Sequence, residues 1–202
     1  MTEEPVRTPP VPLLTPETLI GAYMAGFFPM AESPNGPISW HSPDPRCVIP
    51  LSGFHVPRSL RQKSDRSVFS ITVDEAFPDV IASCADRPET WISDEIVVAY
   101  TRLHRLGYSH SIEAWFQGVL VGGLYGVAIR GAFFGESMFT KMSDASKVCL
   151  VFLVRHLIDR KFALLDSQIM NEHIRQFGAV EVSRAEYLRM LTRALEKDTT
   201  FS

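Results

Sequence analysis

The sequence predicts an α+β protein built on a mixed, largely antiparallel sheet. One observation is the stretch "HSIEAWFQGVLVGGLYGVAIRGAFFGESMFT", which offers three strand segments in succession, joined by the turn signals Gln117-Gly118 and Arg130-Gly131. A second is that the helical segments are inserted late among the strands, the pattern of an α+β domain. A third is bulk composition: 202 residues, 46% hydrophobic and 21% charged, suffice for one large core or two smaller ones.

Taken in order, the leader "MTEEPVRTPPVPLL" is acidic and proline-rich where a signal peptide would be basic and then apolar, so a cytoplasmic protein with a loose leading arm is expected. In "TPETLIGAYMAGFFPM", Thr15 is an N-cap, Pro16 suits the first helical position, Glu17 adds charge to the first turn, and Gly26 ends the helix. The proline-rich "AESPNGPISWHSPDPRCVIP" must be turn and extended chain. Residues 1–50 therefore read as a small, irregular N-terminal unit and 51–202 as the main domain.

The main domain opens with a short basic helix in "FHVPRSLRQKSDRS", then a strand in "VFSITV", a helix in "DEAFPDVIASCADR" and a longer one in "SDEIVVAYTRLHRLGY" capped by Ser93. After the three strands come a strong helix in "SDASKVCLVFLVRHLIDRK", the strand "FALLDSQI", a short helix ended by Gly178, the strand "AVEVS" and a final helix in "RAEYLRMLTRALEK". The longest apolar run, "VCLVFLV", is far shorter than the roughly 20 residues a membrane span needs.

Composition excludes much. Three widely spaced cysteines with no C-x-x-C pair argue against a disulfide framework or a sulfur-rich zinc site, and the six histidines are scattered, so no metal is expected. A net charge of −3 gives no global attraction for nucleic acid, so binding of that kind needs a local patch. There is no nucleophile elbow, Walker loop, H-E-x-x-H or G-x-G-x-x-G. Gly122, Gly123 and Gly126 lie in strand-like sequence, where they permit close backbone approach or a bulge.

Three polar groupings remain. In "LLDSQIMNEH", strand alternation turns Asp166 and Gln168 to one face, with Leu165 and Ser167 on the other; the pair acts on one substrate atom, or it is the polar end of a strand. In "FFGESMF", alternation places Glu136 with Phe134 and Met138, a pocket wall with one polar fixture or an edge-strand glutamate reaching water. In "RSLRQKSDR", Arg58, Arg61, Lys63 and Arg66 either grip phosphates or form a solvated helix face. Trp40 and Trp91 lie in turn-rich surroundings where a ring could stack on a base.

"AYMAGFFPM", "WHSPDPR", "TWIS", "AYTRLHRLGYSHSIEAW", "LVGGLYGVAIRGAFFGESMFTKMSDASK" and "LLDSQIMNEH" occur in this order, and over roughly residues 18 to 190 the chain closely resembles the bacterial leucyl/phenylalanyl-tRNA–protein transferases. The resemblance implies a C-terminal domain like the GCN5-related N-acetyltransferases. It also implies transfer of leucine or phenylalanine from charged tRNA to the N-terminal arginine or lysine of a protein, marking it for degradation by the N-end rule pathway, with no cofactor. By the same comparison Asp166 and Gln168 match a catalytic acid and amide, and Glu136 a carboxylate of the aminoacyl site. Tyr23, Trp91 and Tyr100 match positions around the terminal adenosine and acceptor, Leu124, Phe134 and Leu150 line the side-chain pocket, and residues 58 to 66 meet tRNA. Met30 stands at an adenine-stacking position where many relatives carry tryptophan.

Aminolysis of an ester needs alignment, removal of a proton and stabilisation of charge, but no covalent intermediate, which agrees with the missing nucleophile motifs. Asp166 is expected to orient the amine, directly or through Gln168, in a monomer with no membrane partner. The rival readings are an acetyl-CoA-dependent N-acetyltransferase, whose pyrophosphate loop is missing before "SDASKVCL", and a non-catalytic tRNA-binding module.

Overall fold

The computed structural model describes residues 14–34, 36–57, 60 and 68–202. The four cations Arg58, Arg61, Lys63 and Arg66 of the expected basic helix lie outside the described residues.

Helix α1 (Pro16–Met24) starts where Thr15 accepts a hydrogen bond from the Thr18 N–H, and it buries Leu19 and Tyr23. Gly26 ends it with φ 84°, a left-handed turn that glycine adopts without steric cost. The proline-rich stretch then supplies three short strands. β1 (Phe28–Ala31) and β2 (Ile38–His41) pair as a separate antiparallel ribbon, while β3 (Arg46–Val48) joins the large sheet.

Next come β4 (Ser70–Val73), α2 (Phe77–Ala85) and α3 (Asp94–Arg105), whose N-cap Ser93 accepts from the Ile96 N–H. β5 (Ser109–Phe116), β6 (Val119–Ile129) and β7 (Ala132–Thr140) form the expected meander, and Gln117 and Gly118 take the paired positive φ angles of 50° and 78° that a tight hairpin requires. α4 (Ala145–Asp159), β8 (Leu164–Gln168), α5 (Glu172–Arg175), β9 (Val180–Val182) and α6 (Arg184–Leu195) complete the chain. Among the described residues the large sheet has seven strands in the order β4-β5-β6-β7-β8-β3-β9, and its pairs are antiparallel except β7 with β8. The architecture is α+β, as the sequence predicts.

The sheet separates two cores. Along β6, Tyr125, Val127 and Ile129 enter the core made with α1, α2, α3 and α6, while Leu124 and Ala128 enter the one made with α4. Gly122 lets α4 begin flush against the sheet, because a Cβ there would lie 2.5 Å from the Cβ of Ala145.

Two irregularities open the sheet. Parallel pairing of β7 with β8 is confined to Ala132, Phe133 and Phe134 against Leu164, Leu165 and Asp166, so the remainder of β7 diverges from β8. Just past that point, Tyr125 pairs with Ser137 and Gly126 with Gly135, which leaves Glu136 as the extra residue of a β-bulge. Only glycine fits at 126, where a Cβ would sit 2.3 Å from the carbonyl oxygen of Phe134. The bulge corrects the expected alternation: Phe134 and Phe139 enter one core and Met138 packs on the other, because one inserted residue reverses every side chain that follows it.

Candidate active site

Glu136, lifted from the ladder by the bulge, points into the core of α1 and α3, and the residue is 8% exposed. A carboxylate there is costly unless donors surround it. The Tyr23 hydroxyl donates to its Oε1 at 2.6 Å, Gln168 Nε2 donates to the same oxygen at 2.8 Å, and the Tyr100 hydroxyl donates to Oε2 at 3.3 Å. The two tyrosine hydroxyls also touch each other. Burial pushes the Glu136 carboxyl up to about 7; the Tyr23, Gln168 and Tyr100 hydrogen bonds oppose the rise, and the charge of Asp166 adds to it. Burial first, and the Glu136 charge second, hold both phenols well above their ordinary range, so they remain neutral donors.

Asp166 is fully buried and has its oxygens filled. Oδ1 accepts from Arg46 Nε at 3.0 Å and from the Gln168 N–H at 2.9 Å; Oδ2 accepts from Arg46 Nη2 and the Tyr187 hydroxyl, each at 2.7 Å. Arg46 is also enclosed: its Nη1 donates to the Gly26 carbonyl at 3.1 Å, and its guanidinium lies over the rings of Phe28 and Tyr187 at 4.7 and 4.5 Å. The bidentate pair thereby ties the segment after α1 to β8. Gln168 sits at the end of β8 with φ 65°, a left-handed backbone that costs a side-chain-bearing residue about 1–3 kcal/mol. Its N–H serves Asp166 and its amide serves Glu136, so one strained residue joins the two carboxylates.

Where β7 and β8 part, a cavity of about 470 Å³ opens. Leu124, Leu150 and Leu153 line an apolar side, and Glu136, Ser137, Arg87 and Trp91 are among its other walls. Two buried polar atoms of lining residues, the Tyr125 hydroxyl and His173 Nε2, have no hydrogen-bond partner among the described residues. Burial first and the nearby Lys147 charge second lower the His173 pKa, which favours its neutral form.

Of the residues singled out from sequence, Tyr23, Tyr100, Glu136, Asp166 and Gln168 form one hydrogen-bonded network, and Trp91, Leu124 and Leu150 line the cavity with Glu136 and Asp166. Phe134 is fully buried, its ring 4.8 Å from that of Tyr23, and it is not among the lining residues. Met30 lies half-buried on β1, outside the cavity wall, although its neighbour Ala31 donates to the Trp91 carbonyl at 3.1 Å. Sequence reasoning missed Arg46, Tyr187, Arg87, Tyr125 and His173. Arg46 had a signal in "WHSPDPR": an arginine within an extended proline-rich segment that continues into the apolar "CVI" must find an acid if it is buried.

The family model described as leucyl/phenylalanyl-tRNA protein transferase matches residues 48–192, and the model of that family's N-terminal domain matches residues 13–44. The chain belongs to this family. Leucyl/phenylalanyl-tRNA–protein transferases of Salinibacter ruber and Gloeobacter violaceus are 52% and 53% identical to it, over 91% and 90% of this chain and 81% and 94% of theirs. The enzyme of Rubrobacter xylanophilus is 50% identical over 94% of this chain and 99% of its own. Among solved structures, the ribosomal-protein-alanine N-acetyltransferase of Brucella melitensis biovar Abortus 2308 covers 54% of this chain and 86% of its own at 16% identity and TM-score 0.38. L-PGS of Bacillus licheniformis covers 78% of this chain and 52% of its own at 10% identity and TM-score 0.43. Likenesses that weak decide nothing about chemistry. As a leucyl/phenylalanyl-tRNA–protein transferase family member the chain is an aminoacyltransferase, and the acetyl-CoA and bare tRNA-binding readings fall away. Among the described residues, no helix is long and apolar enough to cross a membrane.

Proposed function

We propose that the chain moves leucine or phenylalanine from its tRNA to the N-terminal arginine or lysine of an acceptor protein in the cytoplasm, with the chemistry at Glu136. The observation that carries the reading is a buried carboxylate raised to about 7, held by three donors beside an apolar pocket. A base of that pKa is matched to removing a proton from an amine near neutrality. The amine nitrogen attacks the ester carbonyl, Glu136 takes its proton, the carbon–nitrogen bond forms, and the ester carbon–oxygen bond breaks with the proton passing to the 3′-oxygen. Gln168 holds Glu136 in place and offers its carbonyl oxygen to the amine. Asp166, with both oxygens occupied by Arg46, Tyr187 and the Gln168 N–H, acts through Gln168 as a positioning residue.

The leucine or phenylalanine side chain enters the side lined by Leu124, Leu150 and Leu153. Phe134 shapes that site through Tyr23, against which its ring packs. Trp91 and, beyond it on the neighbouring strand, Met30 lie on the path of the terminal adenosine, and Arg58, Arg61, Lys63 and Arg66 serve the body of the tRNA. The division into a small unit at 1–50 and an acyltransferase-like domain at 51–202 is part of this proposal, with the last strand of the first, β3, entering the sheet of the second and bringing Arg46 to Asp166.

Labelled leucyl-tRNA or acetyl-CoA offered with peptides beginning in arginine, lysine or alanine tests this directly. Leucine is expected on the first two peptides only, and acetyl on none. Label on alanine at the same rate would refute the acceptor assignment. Gln168→Ala should lower kcat with little change in the KM for tRNA, whereas normal turnover by a folded variant would remove Gln168 from the chemistry.

A further inference from the structure

Arg87 follows α2 on the surface, yet its guanidinium is held still. Nε donates to the Cys84 carbonyl at 2.8 Å, and Nη2 donates to Ser137 Oγ at 2.9 Å and to the Met138 carbonyl at 3.3 Å. Its Nη1 makes no hydrogen bond to a described residue, and Arg87 is one of the residues lining the cavity. Next to Cys84 in α2, Ser83 receives the Lys141 ammonium at 3.4 Å, and the same ammonium lies 5.4 Å from the centre of the Phe139 ring, another lining residue.

Every partner of these two cations is neutral, and no ion pair with a carboxylate forms at either among the described residues. Exposed arginines and lysines usually move freely and lose about 2 kcal/mol of rotamer entropy on being fixed. Here that ordering is already present in the free protein, and the bound anion would supply the missing counter-charge. Trp91, four residues beyond Arg87, lines the same cavity as Arg87, and Lys141 adjoins that cavity through the ring of Phe139. Alternating stacking surfaces and cations are what a single-stranded nucleic acid end requires.

We propose that Arg87 and Lys141 bind the phosphates linking the 3′-terminal nucleotides of the tRNA donor and thread that end toward Glu136. The assignment rests on the function proposed above and adds a phosphate site distinct from the 58–66 segment. Arg87→Gln and Lys141→Gln would each be assayed with two leucyl donors, full leucyl-tRNA and a leucyl ester of adenosine that carries no phosphate, across a salt series. With tRNA, the KM is expected to rise about tenfold per variant at unchanged kcat, and the slope of log KM against log salt to fall by about 0.7 for each cation–phosphate pair removed. With the adenosine ester Lys141→Gln should match wild type, and Arg87→Gln, whose side chain also lines the cavity, should lose far less than it does with tRNA.

Equal loss with both donors would overturn the proposal, because Arg87 would then be shaping the cavity through Ser137. No loss with tRNA would overturn it as well. Lys141→Gln keeps the test sound if Arg87→Gln destabilises the fold, since among the described residues the lysine side chain makes one hydrogen bond, to Ser83. Failure of the wild-type protein to use leucyl-tRNA at all would instead refute the proposed function.

Discussion

Replacing Glu136 by glutamine should alter both the pH profile of transfer and the pH dependence of stability, in directions the buried network dictates. In the wild-type protein the acceptor amine and Glu136 must both be deprotonated for attack. The value of kcat/KM for the acceptor should therefore fall with a slope approaching two per pH unit below about 7, given an amine of pKa about 7.7–8.0. In Glu136→Gln only the amine titrates, so the slope falls to one, and the rate at pH 8 should drop about 10²–10⁴-fold. For stability, a carboxyl whose folded pKa lies above its unfolded value favours the fold when protonated. Its contribution is complete below about 4.5 and is lost as pH climbs through about 7. The gap between 4.5 and about 7 is worth about 3 kcal/mol at about 1.36 kcal/mol per pH unit. Urea unfolding of both proteins from pH 4 to pH 8 would show the wild type losing about that much relative to the variant. A stability difference that does not change with pH, or a variant that keeps the steeper rate profile, would refute the role given to Glu136.

Other consequences follow from the same geometry. Arg46→Met should destabilise the fold by about 3–5 kcal/mol in urea unfolding, because it leaves the Asp166 carboxylate buried without its bidentate partner. Tyr125→Phe should leave thermal stability unchanged or slightly raised, since the deleted hydroxyl has no partner among the described residues; a clear fall in Tm would mean it has one. Gly126→Ala should lose both stability and transfer: a Cβ only 2.3 Å from the Phe134 carbonyl oxygen must break the bulge that presents Glu136, and a folded, active variant would show that the bulge is dispensable.

Local rules make much of this protein legible in its sequence. Thr15 and Ser93 cap the helices they precede, Gly26 and Gly178 stand in left-handed turns after α1 and α5, and the Gln117-Gly118 pair forms its hairpin. These are interactions within a few residues, so residue type and spacing suffice to specify them. The order of "GESMF", "ASK" and "D-x-Q" likewise points to the family that the whole-chain comparisons show.

What spacing could not supply was the partnership of distant groups. Period-two alternation puts Met138 beside Glu136, but the bulge is created by Gly126 on the neighbouring strand, and it turns the two apart. Asp166 reads as a free acid near a strand end, whereas in the fold Arg46, 120 residues earlier, and Tyr187, 21 later, occupy its oxygens. The raised pKa of Glu136 exists only because Tyr23, Tyr100 and Gln168 enclose it away from water. Residue type and spacing determined which elements form, and the resemblance to the family added most of the network's members. Desolvation and pairing across the sheet are properties of enclosure, so only the tertiary structure decided which carboxylate is neutralised by a fixed cation and which is left to take a proton.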